Sequence, residues 1–302
     1  MRLWLLTLLV PAFDPSLAQP VFDVLQAQYQ YSVPTSSGGM EQGKNPDLQF
    51  FQGQANLPWK FSRSNVLVFN PQYEWRKIAY PHPGLRSASP FTSYEVQSFA
   101  LTFSNQHTFR DSSHQLLAAL ALRHYAATTL PFSRTTFTPA FALLYAKRTS
   151  PSLVLKLGGY YSKEFFGNFW LPLLGFDWKV SKRFWCWGIL PRYAVFDYRL
   201  SAVWHTCISY KGITDSYRLP GQDWLTVLEG QIRWTQDFYL PRSPLVLSLD
   251  IGHSAAREFS GYHAASFRQE QLKPGNGLIF RVGLVWRALL DPSFQGRQAP
   301  GP

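Results

Sequence analysis

A closed antiparallel β-barrel is the fold predicted for this chain of 302 residues, and three observations carry the prediction. Apolar and aromatic residues recur at every second position along most of the chain, as strands with two unlike faces require. Short polar turns alternate with longer connections, as in a chain running up and down. The longest apolar run, Leu3–Val10, is broken by Thr7 and falls far short of the roughly 20 residues of a spanning helix. Charged residues are only 16% of the chain and aromatics 17%, unlike a soluble enzyme with about a quarter of its residues charged. In lipid, a chain without spanning helices satisfies every backbone N–H and C=O only as a closed barrel.

The first residues read as an export signal. Arg2 supplies a positive start and Leu3–Val10 an apolar segment, and Ser16-Leu17-Ala18 sets small residues where a signal peptidase cuts. Residues 1–18 are therefore expected to be a cleaved signal peptide, 19–290 the barrel and 291–302 a flexible tail. Gln19 rather than Cys follows the cut, so no lipoprotein anchor is implied. The cut removes one Arg and one Asp, which leaves the formal charge at +11. The expected location is a bacterial outer membrane.

The strands follow in order. Leu25, Ala27, Tyr29, Tyr31 and Val33 alternate with Gln26, Gln28, Gln30 and Ser32, and Thr35–Asn45 reads as a long loop. Asp47–Phe61 sets Phe51, Gly53, Ala55, Leu57 and Trp59 against Gln52, Gln54 and Asn56. The turn at Ser62–Asn65 leads into Val66–Arg76, and Tyr80–Pro90 is a second, Pro-rich loop. Tyr94–Phe103 and Leu116–Tyr125 come next, although LLAALALRHY suits a helix as well as a strand. Thr136–Lys147 and Leu153–Phe165 form a hairpin about the turn Arg148–Ser152.

In the central block, Pro172, Leu174, Phe176, Trp178 and Val180 share one face, and Leu173, Gly175, Asp177 and Lys179 the other. Beyond the turn Ser181–Arg183 the alternation resumes. Pro191 either turns a short hairpin at Gly188–Arg192 or bends one long strand. Trp224–Gln236, Leu245–Arg257 and Gly277–Leu290 complete the series, with a long loop at Glu258–Pro274. Hairpin counting gives about fourteen strands, with twelve as the alternative. A soluble β-sandwich or lipocalin-like barrel would instead keep its large side chains inside and its polar ones out.

The segment YYSKEFFGNFWLPLLGFDWKVSKRFWCWGILPRYAVFDYRL, followed by ITDSYRL and LDIGHSAAREF, resembles an uncharacterised family of outer-membrane β-barrel proteins from the Bacteroidota. The matching positions are Phe166-Gly167, Pro172, Gly175, Gly188, Leu190-Pro191 and Gly252-His253-Ser254, within Tyr160 to Glu258. Arg192 departs from the small or polar residue more usual after that proline. The resemblance implies fold and membrane, and no activity.

Few residues suggest chemistry. Cys186 and Cys207 sit in an oxidising compartment, but hairpin register (Cys207 opposite Phe196) keeps them beyond disulfide reach. His253 and Ser254 are adjacent on one strand and so point to opposite faces, which argues against a membrane-embedded lipid hydrolase. Gly175, Gly188, Gly252 and Gly283 precede no helix and are not phosphate-cradling. No Cys/His spacing fits zinc. Neither a metal nor another cofactor is expected, and scattered basic residues do not imply nucleic acid.

Basic residues near predicted turns (Arg63, Arg110, Lys147, Arg148, Lys182, Arg183 and Arg199) read as solvated or bound to lipid phosphates, as an anionic outer leaflet would favour. Lys156, Arg233 and Arg281 alternate onto the lumen face, with Asp177, Glu229 and Asp250 as partners there. Such residues either set the selectivity of a pore or pair to close it. The leading expectation is a narrow channel or passive transporter of small solutes. The alternative is a non-conducting barrel that partners another outer-membrane protein. Trp178, Trp185, Trp187, Tyr193 and Tyr198 are expected in interfacial girdles, amid lipids that include lipopolysaccharide.

Overall fold

The computed structural model describes residues 21–34, 47–79, 93–241, 243–263, 268–272 and 276–289. The expected signal peptide (1–18), the loops at 35–45 and 80–90, and the tail (291–302) lie outside them. The strands are β1 (Val21–Pro34), β2 (Asp47–Ala55), β3 (Leu57–Lys60), β4 (Asn65–Ala79), β5 (Ser93–Thr108) and β6 (His114–Ala127). They continue with β7 (Phe137–Ser150), β8 (Leu153–Glu164), β9 (Gly167–Lys179), β10 (Phe184–Leu190), β11 (Tyr193–Arg199) and β12 (Trp204–Arg218). The last are β13 (Trp224–Tyr239), β14 (Leu245–His263), β15 (Arg268–Leu272) and β16 (Gly277–Leu289).

Each strand pairs antiparallel with its neighbours, and the ring closes through β13–β14, β14–β16 and β16–β1. Two segment pairs act as single staves: β2 with β3, broken at Asn56, and β15 with β16. The barrel therefore has fourteen strands. Alternation explains it throughout, because one face of each strand meets the outside and the other the lumen. The outside is apolar and exposed, as at Leu174, Ile208, Trp234 and Val282. The inside holds buried Gln28, Gln52, Lys156, Asp177, Glu229 and Asp250.

Several expectations are resolved or corrected. LLAALALRHY lies in β6, held on both edges by β5 and β7, so sheet pairing outweighs its helical propensity. Pro191 follows a cis peptide bond in the two-residue connection of the β10–β11 hairpin, rather than bending one strand. The long loop expected from Glu258 begins later, because β14 runs on to His263 and pairs with β15. The β11–β12 turn holds one residue more than a two-residue loop, with Leu200 and Ser201 both donating N–H to the Trp204 carbonyl. Cys207 therefore faces Asp197, not Phe196. Cys186 pairs with Phe196 on the outer face and Cys207 lies on the inner one, and both thiols are free.

Two bulges turn side chains inward against the local alternation. In β14 the register shifts between Ser254 and Arg257, with Ala256 at φ 81°, so Arg257 and Phe259 point into the lumen. In β1 a shift between Asp23 and Leu25 brings Asp23 opposite Arg287.

The long-connection end of the barrel is not a simple cylinder. β10 and β11 are short, and β12 loses its β11 partner beyond Lys211. There β12 bends inward until Arg218 bridges Ala126 of β6 in parallel. The bend is fastened by the Ser216 hydroxyl, which donates to Glu164 at 2.7 Å and accepts from the Phe165 N–H at 3.2 Å. The Arg218 guanidinium lies over the Phe165 ring at 4.5 Å.

Candidate functional site

The lumen is where the fold concentrates its polar chemistry, and its contents vary with depth. At the end of the long connections the inner face is apolar. Ile78, Val96, Tyr125, Tyr217, Leu225, Val227 and Phe259, drawn from β4, β5, β6, β12, β13 and β14, are fully or almost fully buried. Leu48, Tyr94 and Leu219 join the same cluster. Tyr125 and Tyr217 meet edge to face, with ring centroids 5.3 Å apart. The inward bend of β12 narrows this end enough for side chains to fill it.

A layer of ion pairs lies beneath. Arg257 donates to Glu229 from Nη2 at 2.8 Å and from Nε at 3.2 Å, and Nη2 also reaches the Ser32 hydroxyl at 2.8 Å. Arg76 contacts Asp215 at 3.4 Å, and its guanidinium lies 5.8 Å from the Tyr217 ring centroid, against the underside of the cluster. Arg123 meets Glu164 at 2.6 Å.

Deeper, Lys156 Nζ lies 2.7 Å from Asp177 Oδ2, between β8 and β9. Asp250 is shared by Arg281, in direct contact, and Arg233, at 3.9 Å. Four glutamines close a ring of amides beside them. Gln54 donates to Gln26, Gln26 to Gln28, Gln28 to Gln52 and Gln52 to Gln54. Arg281 also donates to the Gln28 carbonyl oxygen at 2.7 Å. Towards the short-turn end, Arg287 holds Asp23 and Asp237, each at 2.5 Å, and the Tyr239 hydroxyl at 3.1 Å. Buried charges are tolerated when paired and hydrogen-bonded, and each of these basic groups has a carboxylate.

The six lumen candidates, Lys156, Arg233, Arg281, Asp177, Glu229 and Asp250, thus all lie on the inner face in ion pairs. Glu229 takes Arg257, a partner absent from the sequence reading because a bulge places it there. Arg76 and Arg123 were missed for a different reason, each needing a carboxylate from a non-adjacent strand, and Arg287 because the β1 bulge sets Asp23 opposite it. Not all of the inner wall is filled. Near the short turns, Val68, Asn70, Thr102, Ser104, Gln106 and Ala119 are half-exposed.

The aromatic girdle divides. Trp178 and Tyr198 stand outward and exposed. Trp185, Trp187 and Tyr193 do not: they are corrected to the inner face. Trp185 pairs with Lys179 and Trp187 with Asp177, and directly opposed residues share a face. Trp185 is fully buried under the Lys179 ammonium, 5.6 Å from the ring. Tyr193 pairs with Ile189 and Lys211 on the same side. The even-numbered Trp178 instead faces Cys186.

His253 faces outward between Ile232 and Leu278, while Ser254 is buried inside, so the two do not meet. Among the described residues, no group of three or more His, Cys, Asp and Glu is placed to hold a metal. All seven turn-proximal basic residues lie at the short-turn end of the barrel. In an outer membrane that end faces the periplasm, away from the lipopolysaccharide leaflet expected to favour them.

No family model matches the chain, and no curated protein matches it. The chain is similar to several solved structures. An outer-membrane channel from Pseudomonas putida F1 is 11% identical, with a TM-score of 0.47 over 91% of this chain and all of that one. The KdgM porin, solved with oligogalacturonate, is 7% identical, with a TM-score of 0.35 over 86% of this chain and 98% of its own. Outer membrane phospholipase A from Escherichia coli is 12% identical, with a TM-score of 0.36 over 94% of this chain and 98% of its own.

Proposed function

We propose that the protein is an integral barrel of a bacterial outer membrane whose lumen is closed, and that it serves as a membrane-anchored partner in an outer-membrane assembly. Residues 1–18 are its export signal, removed after Ala18. The exposed apolar exterior and the resemblance to Bacteroidota barrels support the location. One observation carries the closed lumen: the apolar cluster across the outer end, where Ile78, Val96 and Val227 have no exposed surface. Ions crossing that layer would have to shed water without replacement ligands, and the paired charges below add no free carrier.

The purified barrel in planar lipid bilayers tests this. The expected result is no steady conductance. Tyr217→Ala combined with Phe259→Ala, which empties much of the cluster, should then create a conductance. Steady ion flow through the unaltered protein would overturn the closed reading.

A second reading keeps the barrel as a narrow channel that opens when the cluster moves aside. It is favoured by the half-exposed polar wall at Asn70, Thr102, Ser104 and Gln106. Conductance in the unaltered protein that comes and goes with applied voltage would support it.

A further inference from the structure

Among the described residues, exposed positive charge is unevenly placed between the two ends of the barrel. In the described short turns, Arg63, Arg110, Lys182 and Arg183 are exposed and face one acid, Asp111. The Ser113 hydroxyl, which donates to Asp111 at 2.8 Å, holds that carboxyl below its ordinary range. Exposed Lys60 and Lys147 stand at adjoining strand ends. The described connections at the other end carry Arg134 and Arg192 against Asp223, with exposed Lys163 at the adjoining end of β8 and Lys77 paired with Glu95. Within the lumen, Lys156 pairs with Asp177, Arg257 with Glu229, and Arg287 with Asp23 and Asp237, so these acids are already engaged and do not offset the rim.

The direction of these side chains separates two kinds of ligand. Lipid headgroups surround the outside of the barrel. There the strand ends present aromatic groups, Trp59, Phe61, Trp178, Tyr198 and Trp204, all exposed. Of the six exposed basic groups only Lys147 is on that outer face, opposite Leu155. Lys60 lies on the lumen face, opposite Val66, and the other four are in the turns themselves. The exposed positive charge thus lies mostly off the lipid-facing strand surface, at the rim of the short-turn end.

We propose that the short-turn end is a docking surface for an acidic segment of a water-borne periplasmic protein, bound at the mouth by the arc of turns that carries Arg63, Arg110, Lys182 and Arg183. This rests on the proposed membrane orientation and names the surface through which a closed barrel would hold a partner. Long-range attraction by a one-signed rim raises the encounter rate, and salt weakens it.

The test uses the full-length mature barrel in phosphatidylcholine nanodiscs, which leave both ends accessible, and a fluorescent oligoglutamate peptide as the probe. The unaltered protein should bind it, and binding should weaken at least tenfold when salt rises from about 0.05 M to about 0.5 M. The quadruple variant Arg63→Glu, Arg110→Glu, Lys182→Glu, Arg183→Glu should lose binding. The corresponding Gln set should bind more weakly than the unaltered protein and keeps the test valid if the Glu set fails to fold. Arg134→Glu with Arg192→Glu, at the opposite end, should bind as before. Equal loss from either end, or full binding by the folded quadruple variant, would overturn the proposal. So would absence of peptide binding by the unaltered protein, and phosphatidylglycerol enrichment around it in mixed phosphatidylcholine–phosphatidylglycerol discs would then assign the rim to lipid headgroups. Conductance is read separately: a barrel that conducts yet binds the peptide overturns the closed lumen and leaves this surface standing.

Discussion

Tyr217 of β12 meets Tyr125 of β6 across the mouth of the barrel, ring centroids 5.3 Å apart and planes at 87°. The two strands are not neighbours in the sheet at any lower level; only the Arg218–Ala126 bridge joins them. The contact therefore depends on the inward bend of β12 and sits where that bend narrows the lumen. Edge-to-face aromatic pairs add to the burial of both rings.

Tyr217→Ala should accordingly destabilise the barrel by about 3–5 kcal/mol, the range for removing a buried aromatic ring. Tyr217→Phe keeps the ring contact and should cost far less. Urea-driven unfolding of the refolded protein in detergent measures both. Equal stability of all three would mean that the cluster does not hold β12 in place.

Lys156 and Asp177 make a different kind of contact, an ion pair with almost no exposed side-chain surface. Removing one partner leaves a buried charge alone. Lys156→Met or Asp177→Leu should each cost roughly 3–5 kcal/mol, and the double change should recover most of the loss. A double-mutant cycle under the same unfolding conditions reads the coupling. Additive losses would place the two charges in separate, wetter surroundings.

The glycines on β8 give a steric test. A Cβ on Gly158 would lie 2.0 Å from the Leu143 carbonyl oxygen and 2.8 Å from Leu144 Cα, both backbone atoms that cannot step aside. On neighbouring Gly159 the nearest such atom is 4.0 Å away. Gly158→Ala should block assembly, seen as loss of the heat-modifiable band on gels, and Gly159→Ala should leave it intact. Assembly of both would show that β7 and β8 are further apart than described.

The strand faces were legible because burial against lipid and burial in the lumen demand opposite polarity. Gln26, Gln28, Gln52 and Gln54 therefore announced the inner wall. Turn lengths were legible too, through Ser, Asn and Pro, but only to within a residue. One residue at Ser201–Val203 shifted Cys207 from Phe196 to Asp197. Phase across a hairpin depends on such counts, which is how Trp185 and Trp187 moved from the lipid face to the lumen. Bulges erase phase altogether, as at Ala256 and between Asp23 and Leu25. The narrowing of the long-connection end left no mark in any single strand. It comes from the difference in length between β11 and β12, which frees the end of β12 to cross the mouth.

The division of the tryptophans leads to the last expectation, because face and depth can be measured independently. Leu174 is 59% exposed on the outer face, well away from the turn at 180–183, whereas Trp178 lies beside that turn. A lysine facing lipid costs about 2–4 kcal/mol at mid-depth and roughly 0–1 kcal/mol near an interface. Leu174→Lys should therefore slow assembly into vesicles far more than Trp178→Lys. Lipids brominated along the acyl chain quench only those indoles that they touch. Trp178→Phe should remove part of the quenchable emission, since that ring stands outward. Trp185→Phe and Trp187→Phe should leave the quenchable part unchanged, because their strand partners Lys179 and Asp177 face the lumen. Loss of quenching on replacing Trp187 would reverse the faces of β9 and β10 and, with them, the inward placement of Asp177.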